Sequence, residues 1–272
     1  MDRVTVWDNL TLYLRLLGVS VRSQLQYRAS FIMLALGQFL STGGEFLAIW
    51  ALFERFGSLK GWRLAEIALF YGIISIAFAI ADAAGRGFDL FANMVRSGEF
   101  DRVLLRPRST ALQVAARELQ IMRIGRFSQG LVVLVWAAGA LGIVWTVPRI
   151  MLLLWAVIGG ACLFVGLFVL QATMCFWTTE SLEIMNTVTY GGVETAQYPI
   201  TVYRDWFRTF FTFGVPLAAV SYFPAVGILG RPDVLGTPFW FQCLAPGIGV
   251  LFLVLSLQVW KIGVRHYHST GS

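Results

Sequence analysis

Residues able to do catalytic or metal chemistry are few and scattered along this 272-residue chain. His266 and His268 form a histidine pair, but they lie in a terminal tail with no nearby cysteine or carboxylate to complete a metal site. The three cysteines are an odd number without CxxC spacing, lie in or beside apolar stretches, and are expected to be buried thiols. We therefore expect no catalytic residue and no bound metal in this chain.

Nucleotide-binding motifs are also missing from the sequence. Lys60 and Lys261 are not preceded by the glycine-rich loop of a GxxxxGK[ST] motif, and neither HExxH nor GxSxG occurs. If ATP drives this protein, ATP and Mg²⁺ must bind to another chain. The net charge of +6 does not by itself indicate nucleic acid, because in an apolar chain the positions of Lys and Arg matter more than their sum.

Three ionisable residues lie within or at the edge of apolar stretches, where a charge costs roughly 2.5 to 3.5 kcal/mol on insertion scales. Glu45 lies deep in the first stretch, where it either lines a polar substrate path or pairs with a donor on a neighbouring helix. Asp82 and Arg86 are four residues apart, a spacing that predicts an ion pair along one helix at the membrane boundary.

The composition predicts an all-α polytopic membrane protein. Hydrophobic residues make up 57% of the chain and charged residues 13%, whereas soluble domains carry about 25% charged residues. The apolar residues form blocks of about 18 to 25, the length of a helix that crosses a bilayer. The predicted spans are residues 30–53, 64–85, 127–146, 150–172, 206–222 and 241–262, preceded by an interfacial helix over residues 1–28.

The remaining segments are too polar or too interrupted to cross as one straight helix. Residues 86–126 are arginine-rich, and residues 177–208 carry several charges and a Gly191-Gly192 pair that is predicted to break their helix. Prolines interrupt residues 223–240, which favours a re-entrant outer segment. Lys and Arg concentrate on one set of alternating loops, so both termini are predicted to be cytoplasmic.

The segment 96–108 is predicted to form a short helix across the cytoplasmic face, or alternatively a solvated loop. Its helix should end at Arg106-Pro107, and Thr110 to Gln113 offers a capping box for the next helix. Apolar side chains flanked by charges are typical of a docking surface, where charges orient a partner and apolar residues anchor it.

Three motifs in this order resemble the membrane subunits of type-2 ABC exporters, particularly the small six-span bacterial permeases grouped with viologen and multidrug exporters. The resemblance covers essentially the whole chain. The motifs are Ser97-Gly98-Glu99-Phe100-Asp101 running into Leu104-Leu105-Arg106-Pro107, then Gln197-Tyr198-Pro199-Ile200, and finally Pro216 through Tyr222-Phe223-Pro224-Ala225.

The resemblance implies a coupling helix over residues 96–108 that docks on a separate ATPase subunit. Two copies of that ATPase subunit, carrying ATP and Mg²⁺, would join this chain and a second permease, identical or homologous, in a bacterial cytoplasmic membrane. The implied ATPase contacts are Glu99, Phe100, Asp101, Arg102, Leu105, Arg106, Pro107 and Arg108. The implied outer gate region contains Pro216, Tyr222, Phe223 and Pro224.

These features predict a permease subunit that moves an amphiphilic or cationic small molecule out of the cytoplasm, as in multidrug efflux. Glu45 is the predicted residue of the substrate path. Membrane lipid is an expected partner and nucleic acid is not. The alternatives are an ion-coupled secondary transporter, in which Glu45 would be the ion site, and a membrane scaffold that transports nothing.

Overall fold

The computed structural model describes residue 18, residues 21–178 and residues 182–267. The described part is predominantly helical, and five of its helices are long and apolar enough to cross a membrane. This confirms the predicted all-α polytopic class. The predicted interfacial helix over residues 1–28 lies largely outside the described residues.

The helices vary widely in length, with five long spans and several short segments between them. They are α1 (Arg28–Phe56), α2 (Leu64–Asp89), α3 (Phe91–Arg96), α4 (Glu99–Leu104), α5 (Thr110–Arg117), α6 (Ile124–Ala140), α7 (Val147–Met174), α8 (Leu182–Ala196), α9 (Asp205–Thr209), α10 (Leu217–Val220), α11 (Tyr222–Leu229), α12 (Phe239–Leu244) and α13 (Gly247–Arg265). Short 3-10 turns lie at Ile121–Arg123 and Ile200–Val202, and a π turn at Phe210–Gly214 extends α9.

Loops that contact one another define two ends of the bundle. The hairpin-loop end consists of residues 57–63, 141–149, 200–204 and 230–238. There the Lys60 ammonium donates to the Val202 carbonyl at 2.9 Å, and Arg231 donates to the Gly61 carbonyl at 3.0 Å. The arginine-rich end consists of residues 86–123, 174–178 and 260–267. There the Trp260 indole donates to the Thr110 hydroxyl at 3.0 Å.

Helix α8 runs from one end to the other, which corrects the prediction that residues 177–208 form a loop at the arginine-rich end. The Tyr190 hydroxyl donates to Asp89 near the arginine-rich end, whereas Thr201, just beyond α8, accepts a 3.1 Å hydrogen bond from Trp62. The Gly191-Gly192 pair lies inside the helix and does not break it. Glycine costs about 1 kcal/mol in a helix, and packing of Leu217 close to Gly192 offsets that cost.

Residues 205–229 enter the bundle from the hairpin-loop end, bend, and return to the same end. Asp205–Gly214 and Leu217–Leu229 meet at 74°. Pro216 lies at the bend, because proline lacks an amide hydrogen and forces the preceding Val215 into an extended conformation. Val220 reaches Gly160 at the middle of α7. The predicted span over residues 206–222 is therefore wrong, and the re-entrant region begins well before residue 223.

Helix α2 is the central helix of the bundle, and α1 is the most peripheral. Most side chains of α2 are buried against α6 and α7. The buried side chains of α1 are Thr42, Phe46, Ile49 and Phe53, which recur at helical spacing on one narrow face. The rest of α1 is exposed or only partly buried, so this helix leaves a wide apolar surface for lipid or another chain.

Glycine lets the last span approach α7 closely. A Cβ at Gly159 would lie 2.4 Å from the Pro246 carbonyl oxygen, and a Cβ at Gly249 would lie 2.1 Å from the Gly159 carbonyl oxygen. Close backbone approach at small residues is the usual way that helices pack in membranes. The pair therefore fixes α13 beside α7.

Candidate functional site

A polar groove lies over α2 between α1 and α8. Tyr71 and Phe78 are seven residues apart and lie on the same face of α2. The Tyr71 hydroxyl donates to the Thr42 carbonyl on α1 at 2.8 Å, and the Phe78 ring faces the Tyr190 ring on α8 at 5.6 Å. We define the polar groove by Glu45, Tyr71, Arg126, Gln129 and Glu194.

Two carboxylates face this groove from opposite walls. Glu45 lies on α1 and Glu194 on α8, and both side chains are exposed. Their charges act on each other, and the charge of Glu45 also acts on Tyr71. Among the residues that the structure describes, neither carboxylate has a cationic group within 4.0 Å. A packing role that depends on a neighbouring donor therefore finds no support for Glu45.

Sequence reasoning identified only Glu45 among the groove residues and missed the other four, of which Arg126 is the cation. It was counted among the loop arginines of residues 86–126, but it lies in the first turn of α6 and is 9% exposed. Its guanidinium lies over the Phe78 ring, with 4.8 Å between the guanidinium carbon and the ring centroid. Its charge acts on Glu194 and on Tyr71. A single arginine in a run of arginines gives no sequence signal of its burial.

A buried ionic network closes the groove at the arginine-rich end. The predicted pair of Asp82 and Arg86 is confirmed, with 3.8 Å between the charged atoms. The shorter contact of Asp82 is with Arg123, at 2.8 Å. Arg123 also donates to the Gln38 side chain at 2.9 Å, so the network joins α1 to α2. Asp89 extends it to α7 by accepting from Gln171 at 3.1 Å.

The predicted coupling segment is a sequence of short helices in this structure. Gly98 adopts a positive φ of 69° between α3 and α4, and α4 ends at Leu104, just before Arg106-Pro107 as predicted. The predicted capping box is wrong, because no side chain caps α5. The Gln113 amide instead donates to the carbonyls of Val103 and Arg108, which ties α5 to the end of α4.

Phe100 is fully buried in an aromatic cluster at the arginine-rich end. Its ring contacts those of Phe91, Phe176, Trp260 and Tyr267. Phe100 is thus unable to touch another chain in this conformation, which corrects its expected role as a direct contact. An apolar side chain on a short helix is driven inward when a cluster of aromatic rings is available to cover it.

The exposed side chains of residues 96–108 form a compact surface next to the aromatic cluster around Phe100. We call Arg102, Leu104, Leu105, Arg106 and Pro107 the docking surface, since all five are exposed and Leu105 reaches 85%. Leu104 and Leu105 place two exposed apolar side chains between Arg102 and Arg106, a pattern in which apolar residues can anchor a partner and charges can orient it.

The other predicted contact residues are held within the chain. Glu99 pairs with Arg117, and Arg108 is half-buried. The Asp101 carboxylate lies near the Tyr267 hydroxyl. Burial first, and then the neighbouring Asp101 carboxylate, raise the pKa of Tyr267 to about 12. Asp101 therefore links the docking segment to the end of the last span.

The predicted outer gate residues lie in and beside the re-entrant segment. Phe223 packs on Phe241 with 5.0 Å between ring centroids, and Pro224 is buried within α11. The Tyr222 hydroxyl donates to Asp233 at 2.8 Å. Burial alone would raise the pKa of Asp233, but hydrogen bonds from Thr237, Leu235 and Tyr222 together hold it below its ordinary value.

Arg231 ties the re-entrant segment to the first hairpin loop. Its guanidinium lies 3.1 Å from Glu66 at the start of α2 and stacks on Trp62 at 4.5 Å. Glu66 is buried and also accepts a hydrogen bond from the Arg63 amide. The same carboxylate therefore caps the start of α2 and binds Arg231. The sequence gives no signal that residues 66 and 231 meet.

The family comparison agrees with this architecture. The family model described as ABC-2 family transporter protein matches residues 39–271. The chain belongs to this family. The matched range includes the docking surface and all the groove residues, so the permease resembles its family across both regions. Searches of curated proteins and of solved structures each found no match.

Family membership makes this chain the membrane permease component of a transporter and implies association with an ABC ATPase subunit. The permease has two polar regions that suit such a role. One is the groove among the spans, and the other is the docking surface at the arginine-rich end.

Proposed function

We propose that this permease is the transmembrane subunit of an ATP-driven exporter that moves an amphiphilic cation out of the cytoplasm. A bacterial cytoplasmic membrane with both termini inside is the expected setting, because basic residues concentrate at the arginine-rich end. Two ATPase subunits and a second permease chain, identical or homologous, would complete the transporter.

The observation that carries this proposal is the pair of unpaired carboxylates in the polar groove. Ionisable groups among membrane spans are costly and mark substrate or ion pathways. Glu45 and Glu194 outnumber Arg126, so the groove is net negative and complements a cation. Tyr190, which is exposed and packs on the buried Phe78, adds an aromatic ring that attracts cations and apolar groups together.

The docking surface supports the ATP-driven part of the proposal. Leu105 offers an exposed apolar side chain, and Arg102 and Arg106 beside it can attract and orient an acidic partner. Movement of this surface would reach the groove through the aromatic cluster around Phe100 and the ionic network of Asp82, which lie between the two regions.

Transport by purified protein tests the proposal. The permease and its co-purifying ATPase subunit are reconstituted into proteoliposomes, and ATP-dependent movement of a fluorescent lipophilic cation is measured. Glu45→Gln and Glu194→Gln should each slow transport about tenfold, because loss of one favourable charge interaction of about 1.4 kcal/mol has that effect. Glu54→Gln is the matched control, since Glu54 lies on the same helix outside the groove and bonds Trp50.

The outcomes separate the alternatives. Unchanged transport in both groove variants would remove the groove from the substrate path. Transport that proceeds equally without ATP would favour an ion-coupled carrier. A permease that captures no ATPase subunit and transports nothing would be a scaffold.

A further inference from the structure

Arg126 is a buried cation that forms no close ion pair within the part of the chain that the structure describes. Within the described chain no carboxylate lies within 4.0 Å of its guanidinium, and its Nε is buried without a hydrogen-bond partner. A buried unpaired charge is costly, so a structure that retains one commonly presents it to a ligand.

The nearby carboxylates do not fill this role. Asp82 is already paired with Arg123 and Arg86. Glu45 and Glu194 lie within electrostatic reach of the groove but outside ion-pair distance of Arg126. The Phe78 ring covers one face of the guanidinium and forms no hydrogen bond in its plane. The N–H edges of Arg126 therefore stay available for an acceptor.

We infer that the groove recognises a zwitterionic amphiphile, whose anionic oxygens bind Arg126 while its ammonium group lies between Glu45 and Glu194. This inference rests on the proposed function and narrows its substrate class from a cation to a cation with an attached phosphate or carboxylate. A planar guanidinium binds either anion through two parallel hydrogen bonds.

The geometry of the groove fits two opposite charges on one ligand. Glu45 and Arg126 both act electrostatically on Glu194 and on Tyr71, so the negative and positive poles share one space. Gln129 is buried beside Tyr71, and its amide adds a neutral polar contact between the poles. Leu34 and Leu52 are exposed and lie eleven residues before and seven residues after Glu45, on the same side of α1, where they offer apolar surface for an alkyl chain.

Matched single-chain amphiphiles test the inference. ATPase stimulation of the reconstituted transporter is measured with dodecylphosphocholine and with dodecyltrimethylammonium, which share a tail and a quaternary ammonium but differ in the phosphate. Wild type should respond to dodecylphosphocholine at about 10-fold to 100-fold lower concentration than to dodecyltrimethylammonium, because one hydrogen bond to a charged group changes affinity by about that factor. Arg126→Gln should abolish that preference, and Arg126→Lys should restore part of it.

Arg55→Gln is the control variant, because Arg55 is an exposed arginine at the far end of α1 and should keep the preference. Equal response of wild type to both amphiphiles, or an unchanged preference in Arg126→Gln, would overturn the inference that the ligand is zwitterionic. The proposal of cation export would still stand. Absence of any response to either compound would instead overturn the proposed function. If Arg126→Gln does not assemble, the wild-type preference alone decides.

The same headgroup chemistry also occurs in membrane lipid, and liposome composition separates the two sources. Stimulation that appears in phosphatidylcholine liposomes without added amphiphile, and disappears in phosphatidylglycerol liposomes, would identify a lipid as the ligand. Stimulation that requires the added amphiphile in both would identify a free substrate.

Discussion

The polar groove and the docking surface are built in opposite ways. The groove gathers single residues from α1, α2, α6 and α8, and its charges lack close partners among the described residues. The docking surface comes from one continuous segment, and the residues beneath it are locked by aromatic contacts and hydrogen bonds. A region that must bind and release a ligand keeps charged groups without close protein partners. A region that must transmit movement is held rigidly by the buried residues it packs on.

The ionic network around Asp82 and the aromatic cluster around Phe100 lie between these regions. Both are buried, and both connect the arginine-rich end to the spans. The comparison therefore predicts that changes in these anchors reduce stability, while changes in the exposed residues of either region affect function alone.

The largest effect is expected from Phe100→Ala. Removal of a fully buried ring should lower the free energy of unfolding by about 3 to 5 kcal/mol, measured by thermal unfolding in detergent. Leu105→Ala in the same segment is the control and should change stability by less than about 0.5 kcal/mol, because Leu105 is exposed. Equal losses in the two variants would mean that the segment is not anchored through Phe100.

A loss of about 3 kcal/mol is expected from Asp82→Asn. The carboxylate is 1% exposed, and its replacement leaves Arg123 and Arg86 facing a neutral amide in a buried site. The unfolding midpoint should fall clearly. Asp205→Asn is the control, since Asp205 is 90% exposed beside Arg208 and should change stability by no more than about 1 kcal/mol. Equal losses of stability in Asp82→Asn and Asp205→Asn would mean that the network around Asp82 does not act as a buried ionic network.

The smallest effect on stability, with a clear effect on assembly, is expected from Leu105→Ala combined with Arg106→Gln. Capture of the ATPase subunit should weaken about tenfold, which corresponds to about 1.4 kcal/mol, while the unfolding midpoint stays unchanged. Val144→Ala changes an equally exposed apolar residue at the hairpin-loop end and should leave capture intact. Weaker capture of the ATPase subunit by Glu45→Gln would mean that the groove and the docking surface do not act independently.

Much of the fold follows from local patterns. The long apolar blocks predicted α1, α2, α6, α7 and the last span to within a few residues in most cases, because helix length and bilayer thickness are matched. Proline chemistry predicted the end of α4 and the interruption of residues 223–240 at Pro232 and Pro238, but not the 74° bend at Pro216. The pairing of Asp82 with Arg86 followed from their spacing on one helix.

Errors arose where contacts between distant segments override local composition. Polarity and two glycines argued against a crossing at α8, but packing against α7 and α2 supports the helix. The three-residue spacing of Thr110 and Gln113 suggested a cap, but the Gln113 amide instead donates to the carbonyls of Val103 and Arg108. Phe100 was assigned to a contact surface because the sequence does not show which apolar residues a neighbouring cluster will cover.

The sequence by itself determined that this chain crosses a membrane many times and that an arginine-rich segment separates the second and third spans. Those properties depend on composition and on spacing within one helix. Only the tertiary structure decided that Arg126 is buried with no described carboxylate within 4.0 Å of it and that Glu45 and Glu194 share its groove. Burial and charge compensation depend on which helices meet, and residues 45, 126 and 194 meet only after the bundle has formed.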